Sequence, residues 1–259
     1  MKRKHTFALL LSALMWLVQT IPALAEGKEY TVKYGDKAVI VNMFTDTFGR
    51  QSYIVQGLGS GKGRGSKLAY FQPLFALQFE GIISDKSELH RLKDVQSSIV
   101  LQSTPYDIRK STIALFMAEV LYRLIGESEA NSQLFDFVYG SIEALDAIDE
   151  GVANFHLWFL ANISRFLGFA PGNEYVKDSF FDMREGLYTP IEPAHNKFCN
   201  REYAQLLNDL IECDVEYLGE IGLNRTQRVD MLHALTDYYA LHLDAIRKVQ
   251  SIAILQQLF

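Results

Sequence analysis

Hydrophobic periodicity changes along this 259-residue chain near residue 100. Before that point, short β-branched and aromatic runs predict strands at Ala38–Val41, Ser52–Val55 and Leu89–Val95. After it, apolar residues recur every three or four positions, which is the spacing of a helix with one buried face. We therefore expect an α+β protein, with a β-rich N-terminal part, a helical C-terminal part and a boundary near Val100 to Pro105.

Three helical patterns follow the boundary. The first is an apolar stripe from Ile113 to Leu124, and the second runs from Phe155 to Leu167 and stops at Gly168. A third helix is predicted to begin at Asn224, where Gln227 completes a variant of the capping box. Such stripes are most simply the hydrophobic core, so we do not assign ligand contacts to their aromatic residues.

Basic residues are concentrated between Thr47 and Phe79, a stretch without Asp or Glu. The stretch has a charge of +4, whereas residues 80–259 carry −12 and the whole chain −6. Glycines interleave with most of these cations, and glycine lets a backbone approach a phosphate closely. We expect the cations to bind single-stranded nucleic acid, with a solvated linker as the alternative. The predicted contacts are Arg50, Lys62, Arg64 and Lys67.

Two further cations, Arg91 and Lys93, are predicted to contribute to this surface. The two residues are two positions apart in the predicted strand from Leu89 to Val95, so their side chains should point to the same face. We expect them to enlarge the cationic surface. The alternative is an ordinary solvated strand edge.

Other site classes are not supported by the sequence. Gly57 to Lys62 is one residue short of the ATP-binding P-loop, and Gly63 stands where that motif needs Ser or Thr. Cys199 and Cys213 do not form a Cys-x-x-Cys pair, and no set of residues has metal-ligand spacing. No nucleophile motif is present either. We therefore expect no metal, no cofactor and no enzymatic activity.

The order and spacing of many short segments resemble the RecO family of bacterial DNA repair proteins, in its Bacteroidetes form. The resemblance covers residues 33–259. The segments are Tyr34-Gly35-Asp36-Lys37, Phe44 to Arg50, Phe71-Gln72-Pro73-Leu74, Pro105-Tyr106-Asp107, Asn154 to Leu157, Ser164 to Phe169, Phe180 to Met183, Tyr238 to Leu243 and Leu255 to Phe259.

The resemblance implies an OB-fold barrel over residues 26–104 and a helical domain over 105–259. It also implies a cytoplasmic, non-enzymatic mediator of DNA repair and recombination, which binds single- and double-stranded DNA and anneals strands. RecR, RecA and the C-terminal tail of single-strand-binding protein are the implied protein partners. For the acidic tail we expect Arg109, Lys110 and Arg123, beside the stripe from Ile113, to supply cations. The alternative is that these cations only solvate the helix.

Residues 1–25 conflict with that implication because they look like a secretory signal. Basic Lys2-Arg3-Lys4 precedes the uncharged run from Phe7 to Val18 and the site Ala23-Leu24-Ala25. The Ala- and Leu-rich run favours helix over strand, which would leave Glu29–Lys33 as a truncated first barrel strand. Either the start is chimeric or misassigned, or the chain is exported. In the second case it would be a mostly helical anion- or polymer-binding protein.

Overall fold

The computed structural model describes residues 3–10, 38–56, 70–82, 89–126 and 130–259. Its contacts divide the chain into two compact units. The first unit comprises the residues up to Gln102 together with Met117–Ile142, and the second comprises Ser103–Phe116 together with Glu143–Phe259.

The first unit is built on a five-stranded barrel. The strands pair in the closed order β1-β2-β3-β5-β4, in agreement with the predicted OB-fold. The three predicted strands are confirmed with longer bounds. The strands are β1 (Arg3–Leu10), β2 (Ala38–Thr45), β3 (Gly49–Gln56), β4 (Ala76–Ile82) and β5 (Leu89–Ser97).

The first barrel strand differs from the sequence-based expectation. Arg3–Leu10, expected to be part of a signal segment, pairs as β1 with β4 from Arg3↔Ile82 to Leu9↔Ala76 and with β2 from Ala8↔Thr45 onward. Backbone pairing on both sides outweighs a weak local preference for helix, because strand propensity depends strongly on context. The expectation of a truncated or replaced first strand is therefore wrong. Glu29–Lys33 lies outside the described residues.

The barrel core described by the structure is formed by side chains of β2, β3, β4 and β5 and by Phe71, which precedes β4. The cluster comprises Val41, Met43, Tyr53, Val55, Phe71, Leu77 and Phe79, with Val39, Leu92 and Val95 packed against it. Leu92 and Val95 both reach the core although they are three positions apart, because the register shifts at a bulge between Gln78 and Glu80 of the partner strand. Asp94 has a positive φ of 49° there.

Two helices contribute residues to both units. Helix α1 spans Ile108–Leu124 and helix α2 spans Ser132–Ala147. Within the first unit, Phe135 of α2 packs on Phe44 of β2 with a ring separation of 5.9 Å. The predicted stripe of α1 is confirmed as core, since Ile113, Phe116, Met117, Val120 and Leu121 are all buried.

The second unit is mainly helical. Helix α5 (Arg225–His242) begins at the predicted Asn224–Gln227 capping box, and both hydrogen bonds of the box are present. The second predicted helix ends at Ile163, continues as a 3₁₀ turn to Phe166 and stops at Gly168, whose φ is +86°. The remaining elements are α3 (Phe155–Ile163), α4 (Arg201–Glu212), α5 (Arg225–His242), α6 (Ser251–Leu258) and a small sheet of β6 (Phe180–Asp182), β7 (Leu187–Thr189) and β8 (Phe198–Cys199).

None of the helices within the described ranges is long and apolar enough to cross a membrane. Cys199 is buried and Cys213 half-buried, and both are free thiols.

Candidate nucleic-acid interface

Arg91 and Lys93 project from the outer wall of the barrel. Both side chains are exposed, while Leu92 between them packs against the barrel core. The prediction that the two cations share one face of the strand is confirmed. Their contact with DNA stays a prediction.

The strand register places Arg91 and Lys93 level with the C-terminal end of β3, from which the chain enters the basic segment that carries Lys62, Arg64 and Lys67. Strand β5 runs parallel to β3, with Ile54 opposite Arg91. Two residues further along each strand come Gln56, the last residue of β3, and Lys93. The chain continues from Gln56 into the segment that carries Lys62, Arg64 and Lys67, which lie outside the described residues.

The neighbouring strand sets the charge around the pair. Across the β4–β5 ladder, Glu80 stands opposite Lys93, whereas Ile82 stands opposite Arg91. A carboxylate beside Lys93 lowers the local positive potential, and an aliphatic neighbour leaves that of Arg91 intact. Arg91 is thus the stronger phosphate-binding candidate of the two.

Arg50 lies at the opposite end of β3 and has structural partners. Its Nη1 donates hydrogen bonds to the carbonyl oxygens of Tyr122 at 2.7 Å and Ile125 at 3.0 Å, and the guanidinium lies 5.1 Å from the Tyr122 ring centre. A cation at these carbonyls stabilises the C-terminal end of α1. Arg50 is six residues from Gln56, or about 20 Å along a strand.

The structure therefore places Arg50 at the C-terminal end of α1, while the other three cations of the predicted basic stretch lie outside the described residues. The role of Arg50 as a helix cap had no signal in the local sequence, because its partners lie 72 and 75 residues away. Its predicted contact with DNA stays untested.

Lys110 corrects one expectation about the partner site. Its side chain is buried, with only 3% of the residue exposed, and its Nζ donates to Ser103 Oγ at 2.7 Å and to the Asp146 carbonyl at 2.8 Å. Asp146 Oδ1 in turn accepts hydrogen bonds from the backbone N–H groups of Ser103 and Thr104. Lys110 fixes a turn inside the second unit, so a tail carboxylate on the surface does not reach it.

The other two predicted partner cations lie at opposite ends of α1. Arg109 is exposed and forms an ion pair with Asp107 at 2.7 Å, and this arginine lowers the pKa of Asp107 to about 2. Arg123 is half-buried, lies 3.9 Å from Glu119 and faces the Tyr122 ring. The stripe between them is core, and contact of these two cations with a tail stays a prediction.

Burial disfavours the charged forms of two titratable side chains in the barrel, Tyr53 and His90. Burial raises the pKa of Tyr53 well above its ordinary value, with a smaller effect from Asp46, and burial lowers the pKa of His90. His90 Nε2 lies 3.1 Å from Gln51 Oε1. Within the part of the chain that the structure describes, no group of three or more His, Cys, Asp or Glu residues could hold a metal ion.

Two family models together cover most of the chain. The model described as "Recombination protein O N terminal" matches residues 30–101, and the model described as "Recombination protein O C terminal" matches residues 105–250. The second match alone covers more than half of the sequence.

Relatives of similar length carry the name "DNA repair protein RecO". The chain is 37% identical over 231 residues to the protein of Phocaeicola vulgatus, which covers 89% of this chain and 95% of that protein. Identity is 38% over 232 residues with the Bacteroides fragilis protein, covering 89% and 96% respectively. With the Flavobacterium psychrophilum protein it is 36% over 228 residues, covering 88% and 94%. None of these matches supports the exported alternative.

Proposed function

This chain belongs to the RecO family, and on that premise we propose that it is a cytoplasmic, non-enzymatic mediator of DNA repair and recombination. In this proposal it binds single- and double-stranded DNA and anneals complementary strands coated by single-strand-binding protein. With RecR, it helps to load RecA. The observation that carries DNA binding is the exposed Arg91–Lys93 pair, level with the end of the strand that leads into the basic segment.

A phosphate-binding surface has a measurable signature. Each lysine or arginine that contacts a phosphate of single-stranded DNA releases counterions and adds about 0.7 to the slope of log affinity against log salt. Replacing Lys62, Arg64 and Lys67 by Ala should therefore reduce the slope by about 2. The loss of affinity should be similar for all base sequences, because phosphates carry no sequence information.

The experiment is fluorescence anisotropy with labelled oligonucleotides at several salt concentrations. The variants are the triple Ala variant and Arg91→Ala with Lys93→Ala. A matched control is Lys177→Ala with Arg184→Ala, which removes two exposed cations from the second unit. We expect both test variants to weaken binding and the control to leave it unchanged. Unchanged affinity and slope in both test variants would refute the proposed interface.

The C-terminal tail of single-strand-binding protein remains a proposed partner, with Arg109 and Arg123 as its cations. Solvent-accessible ion pairs contribute at most about 1 kcal/mol, so Arg109→Ala and Arg123→Ala should each weaken binding of a fluorescent tail peptide about two- to fivefold. Arg247→Ala is a suitable control for Arg109→Ala, because Arg247 is likewise exposed and paired with a nearby carboxylate, that of Asp244. Equal affinities in all variants would place the tail site elsewhere in the protein.

A further inference from the structure

Tyr70 is an exposed aromatic residue on the barrel unit. It is 38% exposed, while the next residue, Phe71, is 7% exposed. The other aromatic side chains that the structure describes in the barrel strands and their turns are buried or half-buried, including Phe44, Tyr53 and Phe79. Tyr70 is therefore more exposed than these aromatic residues.

The backbone around Tyr70 is held on both sides of the turn that follows it. Phe71 packs in the barrel core. The N–H of Phe75 donates to the Gln72 carbonyl at 3.1 Å, with Pro73 and Leu74 in the two central positions of the turn. Leu74 has a positive φ of 58° and is 1% exposed, so burial of its side chain fixes the turn. A ring on a fixed backbone loses little conformational freedom when it binds a ligand.

Tyr70 and the exposed Arg91–Lys93 pair lie in the same compact unit. Phe71 belongs to the same core cluster as Val55, which precedes Gln56, and Leu92, which separates Arg91 from Lys93, packs on that cluster. The exposed ring and the cationic strand face therefore belong to one small barrel.

Cations alone do not distinguish single strands from duplexes, because both present phosphates. An exposed aromatic ring can distinguish them, since only an unpaired base offers a free face on which the ring can stack. We propose that Tyr70 stacks on a base of single-stranded nucleic acid and thereby strengthens binding of single strands relative to duplexes. This inference rests on the proposed DNA-binding function and assigns the base-contacting group within it.

The test separates base contacts from phosphate contacts. Wild type, Tyr70→Ala and Tyr70→Phe are titrated with labelled oligo-dT, with an abasic oligodeoxyribose phosphate of the same length, and with a duplex. Loss of one stacked base should weaken oligo-dT binding by Tyr70→Ala about tenfold. Tyr70→Phe should bind oligo-dT like wild type, because the ring remains. For the abasic strand, the three proteins should have the same affinity. The same should hold for the duplex.

Two controls complete the test. Tyr106→Ala removes a tyrosine that is 85% exposed in the second unit and should leave every affinity unchanged. Urea unfolding of Tyr70→Ala should show an unaltered midpoint, because the ring is exposed. Equal oligo-dT affinities for wild type and Tyr70→Ala would overturn the stacking role, as would an equal loss on the abasic strand.

The outcome is distinguishable from failure of the proposed function. If the stacking role alone is wrong, replacement of Lys62, Arg64 and Lys67 still weakens binding of all three ligands. If DNA binding itself is wrong, wild type binds none of the three ligands and the stacking role fails with it.

Discussion

Individual cations show what a charge pattern does not reveal about side-chain contacts. Arg50 and Lys110 were both predicted to lie on binding surfaces, yet each donates hydrogen bonds to carbonyl oxygens near a helix end. The last carbonyl groups of a helix generally have no N–H partner within it, so a lysine or arginine side chain stabilises a helix end well. Sequence indicates where charge is dense. It does not indicate which charges the tertiary structure takes up, because the partners are remote in the chain.

Arg50→Ala should reduce the free energy of unfolding by about 1.5–3 kcal/mol, since hydrogen bonds to charged groups contribute that much. Arg50→Lys should recover only part of the loss, because an ammonium lacks the planar fork and stacks less well on Tyr122. Urea unfolding provides the measurement. Arg91→Ala, which removes an exposed cation from a neighbouring strand, should change stability by less than about 0.5 kcal/mol. Similar midpoints for the Arg50 and Arg91 variants would contradict the capping role.

His156 predicts a specific acid sensitivity. Its side chain is 1% exposed, its ring stacks on Phe259, and its Nδ1 makes no hydrogen bond within the described structure. Burial, with a smaller effect from Arg228, lowers the pKa of His156 from 6.5 to about 3. Between these two values the unfolded chain binds one more proton than the folded one. The stabilisation is thus fully present above pH 6.5 and is lost as the pH falls towards 3.

The slope attributable to this one proton should approach about 1.4 kcal/mol per pH unit. We expect His156→Phe, which keeps an aromatic ring beside Phe116 and Phe259, to lose that part of the pH dependence. Urea unfolding at pH 7.5 and pH 5 measures the difference. An identical slope in wild type and His156→Phe would show that His156 is not the group responsible.

Elements with a local signature could be predicted from sequence. The capping box of α5, the apolar stripe of α1 and the alternation of β2, β3 and β5 each depend on residues within one element. Strand β1 could not be predicted from sequence, because its Ala and Leu residues favour helix. Only its pairing with β2 and β4 makes it a strand. The bulge near Asp94 was missed for a similar reason, since it depends on the partner strand.

A proline in β1 tests whether this strand closes the barrel. Thr6 pairs with Phe79 in the middle of the β1–β4 ladder. Thr6→Pro removes a backbone N–H from a strand that has neighbours on both sides, so it should lower amide protection in β2 and β4. Thr6→Val keeps the N–H and favours strand, so protection should match wild type. Hydrogen exchange over residues 38–56 and 76–82 measures amide protection in wild type and in both variants. Equal protection in all three proteins would contradict the role of β1 in closing the barrel.

At the scale of the whole molecule, charge is segregated along the chain. The basic stretch of residues 47–79 contrasts with a charge of −12 over residues 80–259. Non-specific attraction to DNA is therefore directed to the barrel part, because like charges repel phosphate from the acidic remainder. The sequence predicted this distribution, whereas the separation of Arg50 from Gln56 along β3 required the structure.

The first residues of the chain matter for the proposed DNA surface because they include strand β1 of the barrel. Cleavage after Ala25 would remove all of β1 and leave β2 and β4 without the strand that pairs with both. Unpaired strand edges favour aggregation, and the barrel carries the proposed DNA surface. We therefore expect a chain that begins at Glu26 to bind oligo-dT much more weakly than the full chain and to elute as aggregates in size-exclusion chromatography. A monomeric form beginning at Glu26 with full affinity for oligo-dT would show that β1 is dispensable. That result would favour the interpretation of residues 1–25 as a secretory signal.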